Sequence, residues 1–456
     1  MKELKQYPIY TDSKVEWLRN VPNHWEVVKS KRILIEASIK GFPDEELLAA
    51  TQSKGVIPKS LYGNTTVTAT KNFETLKLVE KGDFVISLRS FQGGIEYAHY
   101  RGIISPAYTI LKPQDEVIHK YYRYLLKSKR YISGLTLLVT GIRQGQNIDT
   151  SKFKDSYLPL PPKQEQTIIA NFLDYKTEKI NRFIKNKKQL IKLLNEQKEA
   201  IINKTVTKGV KPNIPIVASG VEWLGDIPAN WEVKRMKYLG EAIIGLTYSP
   251  TEMVDKGEGT LVLRSSNVQN GKITYNDCVY VTTEIPDKKR TRKGDILICS
   301  RNGSIKLIGK NALIDEKASN ESFGAFMTIF RSENYEYLHY FFNSSSFKAQ
   351  SGLFSTSTIN QLTTGILNNI IISIPKTLDE QLEVINFIKK ETEVIDKTIT
   401  TIEKEIALVE EYKTALIEEA VTGKIDVRGF KVPKEETPLA MVAEEAVNYK
   451  RVNKNE

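Results

Sequence analysis

The sequence predicts an α+β fold in which two similar mixed α/β domains are separated by two long antiparallel coiled-coil helices, with a pseudo-two-fold internal duplication. Three observations predict it: a pair of landmarks that occurs twice in the same order, a turn-rich texture before each of two long helical stretches, and opposite net charges on those stretches. We place the first mixed domain at 1–162, the first long helix at 163–210, the second mixed domain at 211–375, the second long helix at 376–424 and a tail at 425–456.

The duplication rests on two landmarks. The motif Val-Glu-Trp-Leu, followed by Pro and then Trp-Glu-Val, occupies positions 15–27 and returns at 221–233, shifted by 206 residues. A Glu-Gln pair with Phe, Glu and Ile at fixed distances behind it begins at Glu165 and returns at Glu380, shifted by 215 residues. Two landmarks in one order indicate a duplicated module. A molecule with two similar faces suits a partner or target with two similar halves.

Each mixed domain contains short apolar runs bounded by glycine-rich turns, which is the pattern of short β-strands. The predicted strands are 83–86, 108–111, 260–263 and 295–298. The prolines between Leu158 and Pro162 end the first mixed domain, because consecutive prolines cannot continue a strand ladder or a helix.

The two long helices are predicted from uninterrupted heptad-like patterns. Neither Gly nor Pro occurs from Lys163 to Lys208, and the second stretch is opened by Pro375 and closed by Gly423. Each helix of about 45 residues is about 65 Å long at 1.5 Å per residue, too long to pack on a small domain alone, so it needs another long helix. The predicted seam of the pair consists of Ile169, Leu173, Ile180, Phe183, Leu190, Leu194 and Ile201 in the first helix, and of Ile388, Ile395, Ile399, Ile402, Ile406, Val409 and Leu416 in the second.

Charge indicates that the two helices pair with each other. Residues 163–208 carry 11 Lys and Arg against 5 Asp and Glu, whereas residues 376–424 carry 7 against 12. Opposite net charges on helices of similar length favour hetero-pairing over self-pairing. The tail has equal numbers of acidic and basic residues and the whole chain carries +11, so the two mixed domains together carry +10. An anionic ligand is expected to bind there.

Composition and motifs argue against several classes of protein. No run approaches the roughly 18 apolar residues of a transmembrane helix, and residues 1–6 lead into no apolar signal core, so we expect a cytoplasmic protein. Two cysteines and four scattered histidines do not have the spacing of a metal cluster. No phosphate-binding loop of the Gly-x-x-x-x-Gly-Lys-Ser/Thr type occurs. Pro161-Pro162 lacks the flanking residues of the DNA amino-methyltransferase tetrapeptide. We therefore expect no catalytic residues, no metal and no cofactor in this chain.

Polar and cationic loops that follow strands are the candidate binding residues. Lys81–Ser90 and Lys293–Asn302 share the order turn, strand, arginine, and an arginine at a strand end can bind a guanine edge or a phosphate with two hydrogen bonds. Amide- and hydroxyl-rich loops before each long helix suit groove and phosphate contacts. The candidate DNA-binding residues are Ser87, Arg89, Ser90, Gln92, Thr140, Arg143, Gln144, Gln146 and Asn147 in the first mixed domain, and Arg264, Ser265, Asn267, Arg301, Asn302, Ser304, Lys306, Thr358, Asn360 and Gln361 in the second.

Several stretches resemble the specificity subunit of type I restriction–modification enzymes. They are the Trp-x-x-x-x-Pro-x-x-Trp-Glu-Val opening of each half, Leu263–Ile273, Lys293–Ile298, Ser105–Tyr108 and Leu160–Gln166, and the resemblance covers nearly the whole chain before residue 425. The second half departs from the first, with Phe323-Gly324 in place of Ser105-Pro106 and with residues 376–381 in place of the Pro-Pro-Lys-Gln motif. Such differences indicate that the halves read different sequences.

The resemblance implies a function. Each mixed domain would be a target recognition domain that binds one half of a bipartite site in double-stranded DNA, and the helices would set the spacer and dock the modification subunits. Two modification (methyltransferase) subunits would bring S-adenosylmethionine and flip the adenine, and restriction (motor-nuclease) subunits would bring ATP and Mg²⁺. The chain itself would read DNA without reacting.

The sequence is also compatible with two other functions. Asp287 with the Asp-x-Lys pattern at Asp315 and Lys317 loosely matches metal-dependent nucleases, which would make the chain a fused Mg²⁺-dependent nuclease and specificity protein. A coiled-coil scaffold that does not bind DNA is the third interpretation. Cleavage of DNA with Mg²⁺ by the pure chain, and the salt dependence of DNA binding, distinguish the three.

Overall fold

The structure is a computed structural model that describes residues 5–62, 72–140, 147–222, 224–353, 361–433, 442 and 445. The chain divides into two compact units: the first comprises residues 1–188 and 403–456, and the second comprises residues 189–402. Each unit contains one mixed domain with part of each long helix. The boundary between the units therefore falls inside both helices.

A four-stranded antiparallel sheet forms the centre of the first mixed domain. Its strand order is Leu34–Ala37, Thr109–Pro113, Phe84–Ile86 and Glu96–Tyr97. The strands predicted at 83–86 and 108–111 are confirmed. In both strands neighbouring apolar residues, which point to opposite faces of the sheet, are fully buried: Phe84 and Val85 in one, and Ile110 and Leu111 in the other. A short run that is apolar throughout is therefore a central strand here.

The second mixed domain repeats this sheet in the same order. Its strands are Glu241–Ile244, Met327–Arg331, Ile296–Cys299 and Asn311–Leu313, all antiparallel. A second four-stranded sheet consists of Met253–Val254, Val279–Val281, Thr260–Leu263 and Ser322–Phe323. Both predicted strands of this domain, at 260–263 and 295–298, are confirmed. The shared strand order supports the duplication that the landmarks predict.

Smaller elements complete both units. Two-stranded pairs join Tyr10–Asp12 with Asn20–Pro22, Glu26–Lys29 with Tyr157–Leu160, Leu48–Thr51 with Gly55–Pro58, Lys77–Val79 with Gly102–Ile104, Val139–Thr140 with Asn147–Ile148, Ile216–Ala218 with Asp226–Pro228, Trp231–Arg235 with Ile371–Pro375, and Val268–Gln269 with Lys272–Ile273. Short helices span Ser30–Ile33, Ser90–Gly93, His119–Leu125, Lys129–Leu135, Thr150–Asp155, Tyr335–Phe342, Ser345–Leu353 and Thr364–Asn369.

The Lys-Gly-Asp turn before each central strand has a structural role. Gly82 and Gly294 have φ values of 102° and 88°, a backbone conformation that favours glycine. The carboxylate of Asp83 accepts a hydrogen bond from the backbone nitrogen of Glu80 at 2.9 Å, and that of Asp295 accepts one from the backbone nitrogen of Arg292 at 2.7 Å. The repeated Gly-Asp pair thus fixes the turn that starts the strand.

The long helices span Lys163–Lys208 and Leu378–Val421. Gly209 and Gly423 follow their ends at φ values of 73° and 70°, as helix-terminating glycines do. The prediction that Pro375 opens the second helix is wrong, because Pro375 is the last residue of the strand Ile371–Pro375. Pro159 likewise lies inside the strand Tyr157–Leu160, whose two-stranded pairing leaves an edge where the missing N–H is tolerated. No helix among the described residues is both long and apolar enough to cross a membrane.

Most of the predicted seam residues are buried. The buried seam residues are Ile169, Leu173, Ile180 and Phe183 in the first helix and Ile388, Ile395, Ile402, Ile406, Val409 and Leu416 in the second. The prediction that Leu190 is a buried seam residue is wrong, since its side chain is 40% exposed. Leu194, Ile201 and Ile399 are only half-buried. Near the end of the first helix, Ile202 and Val206 are buried in the same apolar cluster as Trp231 of the second mixed domain.

Opposite charges pair across the two helices within each unit. In the first unit Lys187 lies 2.7 Å from Glu405, and Lys413 donates to Asn181 at 2.7 Å. In the second unit Lys198 lies 2.6 Å from Asp396. Partner numbers fall on one helix as they rise on the other, so the pairing in the first unit is antiparallel. Exposed ion pairs contribute only about 0–1 kcal/mol each, so most of the stability comes from the apolar seam.

Candidate nucleic-acid interface

The two repeated landmarks meet in each unit and attach the mixed domain to its helix. The indole nitrogen of Trp25 donates to Glu165 at 3.0 Å, and that of Trp231 donates to Glu380 at 3.0 Å. The neighbouring amide of Gln166 donates to the carbonyl of Pro161 at 2.8 Å. Trp231 and Glu380 are both nearly buried. The sequence reveals each landmark but not their contact, which joins residues 140 or more positions apart.

This contact yields a stability prediction. Replacing Glu380 with glutamine is expected to lower the free energy of unfolding of the second unit by about 1–3 kcal/mol. The buried carboxylate accepts from Trp231 and, at 2.6 Å, from Asn230, and an amide nitrogen would face one of these donors. Urea unfolding followed by tryptophan fluorescence measures it. Glu383→Gln, on the same helix, is the control: it removes only the exposed ion pair with Lys211 and should cost about 0–1 kcal/mol. An equal loss of unfolding free energy in Glu380→Gln and Glu383→Gln would contradict the prediction.

Arg301 lies just past the central strand Ile296–Cys299 of the second unit, as predicted. Its guanidinium lies 5.1 Å from the ring centroid of Phe326, whose side chain is 58% exposed. The backbone nitrogen of Arg301 donates to the carbonyl of Phe326 at 3.0 Å, and Arg301 forms an isolated antiparallel bridge with Gln361. An exposed arginine held over an exposed aromatic ring offers both a planar donor and a stacking face to a nucleic acid.

A basic cavity of about 490 Å³ lies in the same unit. Three lysines and several amide side chains line it, and Gln361, the bridge partner of Arg301, is also part of its wall. Lys310 donates to the carbonyl of Ser265 at 3.4 Å, and Lys348 pairs with Glu199 at 2.9 Å. Lys306 is exposed. Lysine ammonium groups at this density suit phosphate oxygens.

Arg89 occupies the corresponding place in the first unit. It follows the strand Phe84–Ile86, is exposed and precedes the short helix Ser90–Gly93, on which Gln92 is also exposed. Ser87 is half-buried and Ser90 is fully buried, and the Ser90 hydroxyl accepts a hydrogen bond from the backbone nitrogen of Ser87 at 2.8 Å. Ser90 therefore shapes the turn that presents Arg89, and its predicted contact with DNA stays a prediction.

Arg264 and Asn267 are engaged within the second unit. Asn267 is fully buried; its amide donates to the carbonyls of Thr274 and Asn276 at 3.1 and 3.0 Å. Arg264 donates to the carboxylate of Asp277 at 2.8 Å. Asn267 thus closes a loop, its predicted contact with DNA stays a prediction, and Arg264 has a carboxylate partner that no local motif predicts.

The structure brings Ser265 and Asn302 together, since the Asn302 amide donates to the Ser265 hydroxyl at 3.4 Å. Ser304 follows in the same loop, where its backbone nitrogen donates to Asn302 at 3.0 Å. Asn147 is exposed in a short strand. Thr140 belongs to the strand Val139–Thr140, and its side chain lies outside the described part of the chain, as do Arg143, Gln144, Gln146, Thr358 and Asn360.

The carboxylates that suggested a nuclease have other contacts. Asp315 accepts from the backbone nitrogen of Ala318 at 2.9 Å, and Glu316 pairs with Lys293 at 3.1 Å. The ammonium of Lys317 lies over the ring of Tyr275 at 3.9 Å. Within the described ranges, no group of three or more His, Cys, Asp or Glu residues is arranged to hold a metal ion.

Comparison with known proteins gives a consistent family match. The model of the type I restriction modification DNA specificity domain matches residues 23–193 and again residues 228–411. The MjaVIII specificity subunit of Methanocaldococcus jannaschii is 28% identical over 365 residues, covering 77% of this chain and 81% of that protein. The putative MjaX specificity subunit of the same organism is 26% identical over 441 residues, covering 90% and 95%.

A solved structure shares the fold. A chain from a study of the complex assembly and conformational transition of the type I R-M system superposes with a TM-score of 0.65 at 15% identity, covering 89% of this chain and 99% of that chain.

Proposed function

This chain belongs to the type I restriction modification DNA specificity family, and from that premise we propose that its two mixed domains each read one half of a bipartite site in double-stranded DNA. The observation that supports the proposal most directly is the repeated placement of an exposed arginine at the end of the same central strand, Arg89 in one unit and Arg301 in the other. Arginine at such a position can bind the O6 and N7 atoms of guanine with two donors.

Charge supports the same proposal. The mixed domains carry the net positive charge of the molecule, while the tail is balanced and the two long helices nearly cancel. Phosphate contacts from lysine and arginine fix the protein on the duplex, whereas a few side chains at base edges select the sequence. The lysine-lined cavity around Lys306 and Lys310 supplies phosphate contacts, and the Arg301–Phe326 pair is the candidate for base contact.

The partners and cofactors follow from the family rather than from groups in this chain. We propose that two modification subunits dock on the long helices and supply S-adenosylmethionine and the flipped-adenine chemistry. Restriction subunits would supply ATP and Mg²⁺. In this proposal the chain contributes recognition and spacing and performs no catalysis itself.

The test is methylation mapping. We expect a host that lacks other DNA methyltransferases and carries this chain with its modification subunit to show adenine methylation at a motif of two defined halves around a non-specific spacer. The same host with the modification subunit alone is the control and should show no such motif. A contiguous motif would contradict two-domain reading, and the absence of any motif dependent on this chain would contradict the proposal as a whole.

A further inference from the structure

An ion pair between the half-buried Lys127 and the buried Glu96 ties together three segments of the first mixed domain. The ammonium of Lys127, which follows the helix His119–Leu125, donates to the carboxylate of Glu96 at 2.6 Å. It also donates to the carbonyl of Gly93 at 2.8 Å and to that of Gln52 at 3.1 Å. Glu96 is only 1% exposed, and one of its two oxygens has no hydrogen-bond partner. Burying the Glu96 carboxylate costs solvation, which the Lys127 ammonium offsets.

The segment held by Lys127 is the one that carries Arg89. Gly93 ends the short helix that starts directly after Arg89. Gly94 has a φ of 78°, and an added Cβ would come within 2.3 Å of the carbonyl of Leu126. The backbone nitrogen of Ile95 donates to that same carbonyl at 3.1 Å. The loop behind Arg89 is therefore pressed against the end of a helix and fixed there by the Lys127 ammonium.

The second mixed domain has the same connection with different chemistry. Ser128 and Ser344 play the same role at the two helix ends, because each hydroxyl donates to the carbonyl three residues before it. Asn343, directly before Ser344, therefore corresponds to Lys127. Its amide donates to Asn311 at 3.0 Å, and the Asn311 amide donates to the carbonyl of Gly309 at 3.1 Å.

Gly309 belongs to the loop that follows Arg301, and it has a φ of 81°. Asn311 is only 2% exposed and also donates to the carbonyl of Phe342 at 3.2 Å. A polar pair with one buried member, Glu96 or Asn311, therefore joins the loop after the arginine to the end of the next helix in both repeats. The first repeat forms it from opposite charges, and the second forms it from two neutral amides.

We propose that these pairs are positioning residues for DNA reading: Lys127 with Glu96 fixes the loop of Arg89, and Asn343 with Asn311 fixes the loop of Arg301, so that each pair determines base discrimination in one half-site through the arginine that its loop carries. The inference rests on the proposed function. It adds that an ion pair holds the arginine loop of the first domain, whereas two neutral amides hold that of the second. A reading arginine must be fixed in place to select one base edge, since a mobile one would bind any phosphate within reach.

The difference in charge predicts a difference in pH dependence. Burial raises the pKa of Glu96 to about 7, and the nearby Lys127 ammonium opposes this rise. As the pH falls through about 7, Glu96 becomes protonated, and the charge that holds the Lys127 ammonium inside is lost. The ammonium can then move to water and release the carbonyl of Gly93. The pair Asn311–Asn343 has no titrating group, so the second half should keep its discrimination.

Other titratable groups lie near both pairs. In the first unit, burial lowers the pKa of His99 and His119, so each stays neutral until the pH falls below its usual value. Arg123 and Asp174 act on the neighbouring Tyr97. In the second unit, burial lowers the pKa of His339 to about 4, so His339, whose carbonyl accepts from Asn343, stays neutral above pH 5. A midpoint near pH 7 therefore distinguishes Glu96 from the histidines.

The experiment measures methylation in vitro by the full chain in complex with its modification subunit, on a plasmid library with randomised sequence, at pH 6 and pH 8. At pH 8, Lys127→Met is expected to reduce base discrimination about tenfold in the half-site read by the first domain and to leave the other half-site unchanged, which also shows that the protein is folded. Lys129→Met, an exposed lysine two residues away, is the control and should match the wild type.

The pH comparison provides the second measurement and does not depend on the folding of the lysine variant. Wild-type discrimination in the first half-site should fall from pH 8 to pH 6, and Glu96→Gln should remove that dependence while the second half-site stays constant in both proteins. Unchanged discrimination in Lys127→Met, an equal loss in both half-sites, or a first half-site insensitive to pH would overturn the inference. A wild-type complex that yields no two-part motif at all would overturn the proposed function instead.

Discussion

Replacing Arg301 with alanine is expected to weaken binding of the specific site by about 1–3 kcal/mol and to relax base preference only in the half-site read by the second domain. The reason is geometric: the guanidinium lies over the exposed ring of Phe326, and its backbone is fixed by the carbonyl of that residue and by the bridge to Gln361. A side chain held in this way has already lost part of the freedom that binding would otherwise cost. Equilibrium binding to the mapped site and to single-base variants measures the effect.

Arg301→Lys separates base reading from phosphate binding. Lysine retains the positive charge but lacks the planar fork that binds a guanine edge with two donors. If Arg301 reads a base, the lysine variant should lose discrimination nearly as far as the alanine variant. If binding by the lysine variant matches the wild type, and the alanine variant loses affinity equally on all sequences with a smaller salt slope, the contact is to phosphate. Arg235→Ala, an exposed arginine of the same unit, controls for the loss of one charge.

The features that the sequence predicts well are those expressed over many residues. The duplication and the two long helices follow from spacing and periodicity, and the structure confirms them by the strand order that the two sheets share and by helices at the predicted places. The C-terminal ends of the helices are also predictable, because Gly209 and Gly423 each follow a long stretch without Gly or Pro. Both glycines have a positive φ in the structure. The error at Pro375 has a local cause: proline is compatible with an edge strand as well as with a helix start.

The site is harder to predict, because it depends on the direction of single side chains. Polarity identified the loops around Arg89 and Arg264, but it did not distinguish an exposed arginine from one paired with Asp277, or an exposed serine from Ser90, whose side chain is inside the turn. Contacts between distant segments were also missed, such as Lys127 with Glu96. No local pattern joins residues that are 31 positions apart and meet only in the folded domain.

Inserting one heptad into both long helices is expected to lengthen the spacer of the recognised site by about three base pairs while preserving both half-sites. Seven helical residues add about 10 Å, and base pairs are stacked at about 3.4 Å. The insertions belong after Lys188 and after Ile402, where the boundary between the two units crosses each helix, so that pairs such as Lys187–Glu405 and Lys198–Asp396 stay within their units. Methylation mapping with the modification subunit measures the spacer.

A heptad in only one helix is the control for this prediction. It shifts the seam by two turns in that helix alone, so the buried row around Ile402 and Ile406 would face the wrong partners, and modification should be lost together with folding.

The paired insertion also rotates the half-sites: three base pairs turn the duplex by about 100°, from about 10.5 base pairs per turn, whereas a heptad turns a helix by only about 20° relative to the seam. The lengthened protein is therefore expected to bind its longer site less tightly than the wild type binds its own. An unchanged spacer in the paired variant would contradict the role of the helices as the element that sets spacing, because the recognition domains would then have to reach their half-sites independently of helix length.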